Sequence, residues 1–75
     1  MSSVMVNANF EPDEDTEAVL GVLKRENANP RFIMDETGLD KGRVEYCLRR
    51  LTDAGWIERR ARGLYSFSED PRDDG

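Results

Sequence analysis

The chain has 75 residues, 37% of them hydrophobic, and a formal net charge of −5. That length supplies one small domain near the lower limit for a free-standing core, and chains of this size often gain stability by dimerising. A single cysteine, Cys47, and no histidine exclude an internal disulfide and a zinc finger, and no apolar run is long enough to span a membrane.

The N-terminal stretch MSSVMVNANF has neither a basic leader nor an apolar core, so it does not read as a secretory signal, and a reducing cytoplasm is the expected compartment. Residues 1–9 show no sustained period and are expected to form a flexible arm, with Val4-Met5-Val6 able to add a strand on dimerisation. Phe10 then precedes Glu11-Pro12-Asp13-Glu14-Asp15, a helix entrance: proline is tolerated in a first turn, and acids there complement the positive end of the helix dipole. The first helix is predicted to run to about Arg25, with Val19, Val22 and Leu23 inward, Leu20 on the flank, and Phe10 placed to staple back onto it.

Asn27-Ala28-Asn29-Pro30 breaks the pattern, with Asn29 as a cap and Pro30 at the first position of a second, short helix to about Glu36. Phe32, Ile33 and Met34 are its inward residues. Gly38 supplies a left-handed helix end, Leu39 plugs the turn, and Asp40 caps a third helix within reach of the Arg43 N–H. That helix, Asp40 to Ala54, carries an inward stripe of Val44, Cys47, Leu48 and Leu51. Gly55 ends it. Trp56 and Ile57 open a strand, Ala61-Arg62-Gly63 makes a compact turn, and Leu64-Tyr65-Ser66-Phe67 returns as the second strand of a hairpin. The acidic segment from Ser68 is expected to be a disordered tail. The fold class is therefore α+β: a winged helix-turn-helix over residues 10–67, with three helices and a C-terminal two-stranded wing.

Charge is distributed unevenly along these elements. Lys41, Arg43, Arg49, Arg50, Arg59, Arg60 and Arg62 against Glu45, Asp53 and Glu58 leave residues 41–62 at +4, in a chain that is otherwise acidic. Groove-reading helices touch base edges mainly with their N-terminal half, which nominates Lys41, Gly42, Arg43 and Tyr46. Arg43 is the first choice for a bidentate guanine contact, and Gly42 permits a close approach. Arg49 and Arg50 suit phosphates. On the wing, Arg59, Arg60 and Arg62 suit phosphates or a narrow minor groove, and basic residues there also guard an exposed sheet edge. Cys47 reads as a small buried hydrophobe, Tyr65 as packing, and Trp56 as the anchor between helix and sheet. No constellation suggests catalysis, a cofactor, a metal or a small-molecule ligand.

The run from Asn29 to Phe67 resembles the small haloarchaeal winged-helix regulators, including the phage-repressor-like group, and the resemblance covers residues 10–67. The likeness is carried by Gly38-Leu39-x-Lys41-x-x-Val44-x-x-x-Leu48-x-x-Leu51-x-x-x-Gly55-Trp56-Ile57, by the Arg62-Gly63-Leu64-Tyr65 turn, and by the Pro12-Asp13-Glu14-Asp15 entrance. The resemblance implies a transcriptional regulator, with Lys41, Arg43, Tyr46 and Arg49 as recognition-helix contacts and Arg60 and Arg62 as wing contacts. The long terminal helix that dimerises larger members of the multiple-antibiotic-resistance-regulator class is missing from it. Nine of the eleven basic residues are arginine and the acids favour aspartate at the termini, which fits life in molar salt; a solvated acidic surface that keeps a small protein soluble is the competing reading of the same acidity. The expectation is a homodimer on double-stranded DNA in a salt-loving archaeon. The alternatives are a winged helix that docks on a protein complex without touching DNA, and an accessory that binds DNA or RNA without sequence preference.

Overall fold

The computed structural model describes residues 6–72. Three helices precede a hairpin: α1 (Glu14–Arg25), α2 (Pro30–Thr37), α3 (Lys41–Asp53), β1 (Ile57–Arg59) and β2 (Tyr65–Phe67). This is the α+β winged helix-turn-helix expected from the sequence, and each helix begins where a side chain replaces a missing backbone acceptor. Asp13, Asn29 and Asp40 accept from the N–H groups of Thr16, Phe32 and Arg43 at 2.8, 2.8 and 2.7 Å. Gly38, at φ 79°, closes α2 through its N–H to the Met34 carbonyl. Thr37 tightens the same corner, donating its hydroxyl to the Ile33 carbonyl and accepting from the Leu39 N–H.

The core gathers one face of every element. Val44, Cys47, Leu48 and Leu51 of α3 meet Val19, Leu20, Val22 and Leu23 of α1, with Ile33, Trp56 and Ile57 filling between them. Leu20 is as buried as its neighbours rather than flanking, because α2 and the sheet also pack on α1 and widen its inward face. Thr16 joins the core as its hydroxyl donates to Cys47 Sγ at 3.3 Å. Burial raises the Cys47 thiol pKa, which keeps it protonated and inert.

Phe10 meets the Trp56 ring edge-on, with centroids 5.1 Å apart. Two features depart from expectation at the chain ends. Asn7, assigned to a flexible arm, donates to the Ala54 carbonyl at 2.8 Å and accepts from Trp56 Nε1 at 3.0 Å. Residues 68–72 do not behave as a solvated tail. The N–H groups of Ser68 and Glu69 both donate to the Trp56 carbonyl, and Asp70 is buried. The possible strand at Val4-Met5-Val6 lies largely outside the described residues.

The hairpin pairs Ile57 with Phe67, Glu58 with Ser66 and Arg59 with Tyr65. Ala28, in the loop before α2, exchanges both backbone hydrogen bonds with Tyr65, at 3.0 and 2.8 Å. This bridge covers the outer side of β2 and ties the wing to the helices.

Candidate nucleic-acid interface

Helix α3 projects its solvent face between α1 on one side and α2 with the wing on the other. Lys41, Gly42, Tyr46, Arg49 and Arg50 are exposed on it, and Arg43 is half-buried. The two flanks differ in charge. Towards α1, Arg43 donates from Nε to Asp15 and from Nη2 to Asp13, each at 2.7 Å. The Asp15 hydrogen bond above all raises the Arg43 pKa, and the hydrogen bond from the Thr16 N–H, reinforced by Arg43, lowers that of Asp13. The residue expected to be the free guanine reader thus lies inside an ion pair that joins α3 to the entrance of α1.

Arg50 occupies the same flank with aromatic partners. Its guanidinium lies 5.0 Å from the centre of the Phe10 ring and 5.7 Å from that of Tyr46, and its Nη1 donates to the Tyr46 hydroxyl at 3.0 Å.

Towards α2 and the wing the picture reverses. A groove of about 450 Å³ is lined by Pro30, Glu45, Arg49, Thr52, Asp53, Arg59, Gly63 and Tyr65. Pro30 also borders a second groove with Arg31, Met34 and Lys41. Among the described residues, no carboxylate lies within 4.0 Å of the charged nitrogens of Arg31, Lys41, Arg49, Arg59 or Arg62, while Arg25, Arg43, Arg60 and Arg72 all have one. Cations without partners therefore follow one another from α2, past the start and middle of α3, to the wing.

The wing tip has its own geometry. The Arg60 N–H donates to the Leu64 carbonyl at 2.6 Å, closing a turn in which Arg62 (φ 66°) and Gly63 (φ 73°) are both left-handed. A left-handed arginine costs about 1 kcal/mol, which the closed turn imposes. From the sequence, Gly63 is the residue of this turn suited to positive φ, and Arg62 joins it there. Arg60 turns back, donating from Nε to the Ser66 hydroxyl at 3.2 Å and lying 3.8 Å from Glu58. Arg59 and Arg62 remain exposed without such partners.

Of the nine residues nominated from the sequence, then, Lys41, Gly42, Tyr46, Arg49 and Arg50 share the open face of α3, and Arg59 and Arg62 extend it along the wing. Arg43 and Arg60 are held by acids of the same chain. Arg31 shares this surface although it sits outside the basic stretch, near Asp35 and Glu36, where charge along the chain does not point to it. Its signal was its place next to the capping pair Asn29-Pro30, which aims the start of α2 at the same surface as α3. Among the described residues, no group of three or more His, Cys, Asp or Glu side chains is arranged to hold a metal, and no helix is long and apolar enough to cross a membrane.

A helix presented beside a cationic hairpin is the arrangement of a winged helix-turn-helix transcriptional regulator. Residues 28–68 match the family described as "Transcriptional regulator, AbiEi antitoxin", and the chain belongs to that family. The match starts at Ala28, which bridges to the wing, and ends just after β2, so it spans α2, α3 and the hairpin. No curated protein and no solved structure shows a significant match.

Proposed function

We propose that the chain is a sequence-specific, double-stranded-DNA-binding transcriptional regulator, with α3 in the major groove and the wing on the backbone or minor groove. The observation that carries this reading is the row of cations without carboxylate partners, Arg31, Lys41, Arg49, Arg59 and Arg62, in a chain whose other arginines are ion-paired or stacked. A folded acidic protein gains little from leaving guanidinium groups unpaired around one concave face, whereas a polyanion gains from meeting them there. The same row orients the duplex. Its phosphates follow the α2 and wing side of α3, and Asp13 and Asp15 mark the side where they stop.

In this assignment Lys41, Arg49, Arg59, Arg62 and Arg31 contact phosphates, and Gly42 allows close approach of the duplex. Arg50 and Tyr46 lie over the groove. Arg43 and Arg60 support the surface from their intramolecular pairs and reach DNA only by leaving them. A domain of this size reads about one half-site, so a homodimer on a two-fold sequence belongs to the same reading. So does operation in molar salt, where the Debye length falls to about 3 Å and the overall negative charge repels DNA little.

Selection from random duplexes at about 2 M KCl, followed by affinity measurements over a range of salt, tests this. The wild type is expected to enrich a defined motif. Replacing Arg49 and Arg59 together by alanine should weaken binding almost equally on all sequences and reduce the slope of log K against log salt by roughly two. A slope unchanged by the double substitution would remove these residues from the interface, and the duplex orientation with them.

A further inference from the structure

Tyr46 is the only large hydrophobic side chain strongly exposed among the described residues, at 42%. A lone surface aromatic is ordinary in itself. The groups that hold this one are less so. Arg43 and Arg50 place their guanidinium carbons 5.1 and 5.7 Å from the centre of its ring. Neither is a free-swinging chain: Arg43 is anchored on Asp13 and Asp15, and Arg50 lies against Phe10, which itself packs on the buried Trp56. A flexible position on a solvated helix has thereby become a fixed one.

The direction of the hydrogen bond at its tip adds chemical content. A guanidinium only donates, so in the 3.0 Å contact with Arg50 Nη1 the phenol oxygen is the acceptor. The phenol hydrogen is left for another partner, and no acceptor for it is found among the described residues. Tyr46 thus presents a donor, already polarised by a cation, on the line of α3 that also carries Gly42 and Arg49.

Resting on the DNA-binding reading above, we infer that Tyr46 is a specificity-determining residue whose phenol O–H donates to an acceptor on a base edge in the major groove: a purine N7, guanine O6 or thymine O4. Arg50 and Arg43 are positioning residues that act through the ring and hydroxyl of Tyr46. The adenine and cytosine amino groups are donors and are disfavoured opposite the phenol. High salt sharpens this role, because it weakens the phosphate contacts and leaves a larger share of the discrimination to base-edge hydrogen bonds.

Tyr46→Phe keeps the ring and its guanidinium neighbours and removes only the hydroxyl. Paired selections on wild type and Tyr46→Phe should show one base position per half-site losing its preference. Affinity for the selected site should fall about tenfold, while affinity for an unrelated duplex changes by less than about twofold. Arg50→Lys, which keeps the charge and loses the planar fork, should blur the same position and no other. Circular dichroism of both variants should match the wild type. An equal loss on all sequences would assign the hydroxyl to a phosphate, and unchanged selection would assign it to no contact; either result overturns the inference. Should the wild type itself enrich no sequence, the sequence-specific reading fails together with this one, and that outcome is distinct from the other two.

Discussion

Asp70 shows how much a single side chain can hold at the end of a small domain. Its carboxylate is fully buried and accepts from Lys24 Nζ at 2.8 Å and from Arg72 Nη2 and Nε at 2.8 and 3.0 Å. Arg72 reaches on to Glu17 and lies 5.0 Å from the centre of the Trp56 ring, so one carboxylate ties the chain end to α1 and to the core tryptophan. Hydrogen bonds from Arg72 above all, and from Lys24, hold its pKa well below the usual carboxylate range against the opposing effect of burial. A depressed folded-state pKa contributes stability that is complete above the unfolded value, near about 4, and is lost as pH falls through the folded value. Asp70→Asn should therefore cost about 1–3 kcal/mol at pH 7, since it leaves charged donors without their acceptor. The gap between variant and wild type should narrow on acidification below about pH 4. Urea unfolding followed by the fluorescence of Trp56 at both pH values measures it. A gap independent of pH would show that shape, not charge, sets the contribution of Asp70.

At the scale of elements, α3 contains a choice that its own packing does not explain. Gly42 lies in the first turn, and a Cβ built there meets nothing nearer than Asp40 Oδ1 at 3.8 Å. Glycine in a helix is less favourable than alanine by about 1 kcal/mol, so Gly42→Ala should stabilise the free protein by up to that amount. If the duplex approaches the backbone there, the same methyl group should lower DNA affinity by roughly tenfold, so that stability and binding move in opposite directions. Thermal unfolding and a binding isotherm on one selected duplex are sufficient to see it, and an affinity equal to wild type would release Gly42 from the interface. Elements of this kind were legible in the sequence because their determinants are local. Asn29 and Asp40 cap three residues ahead, Gly38 ends α2, and the spacing of Val44, Cys47, Leu48 and Leu51 fixes which way α3 faces. What stayed hidden was set by chain segments meeting from afar. Arg43 finds acids 28 and 30 residues away, Lys24 finds Asp70 across 46, and the Ala28–Tyr65 bridge joins a loop to a strand. Helical phase alone left Arg43 looking free, and the charge run concealed Arg31 by stopping short of it.

For the whole molecule, the consequence of these long-range pairs is an asymmetric field. The net charge of −5 is spread so that α3 lies between the acids at the start of α1 and the unpaired cations of α2 and the wing. In the proposed binding mode Asp13 and Asp15 oppose DNA twice, by repelling phosphate and by neutralising Arg43, while within the fold they anchor the guanidinium against which Tyr46 rests. Replacing both with asparagine keeps an N-cap acceptor at position 13, so α1 should remain intact. Two negative charges disappear and Arg43 is freed, which should raise affinity for any duplex, by roughly three- to tenfold at 0.1 M salt where the Debye length is about 10 Å. The gain should vanish near 1 M, as the Debye length contracts to about 3 Å. Discrimination should move the other way: with the Arg43 anchor gone, the preference for the selected site over random DNA should shrink at every salt concentration. Titrating wild type and the double variant on both duplexes between these salt limits separates the two effects. A gain that persists undiminished at high salt would mean that the acids act through structure rather than through their field, and an undiminished preference would mean that Tyr46 does not need the Arg43 anchor.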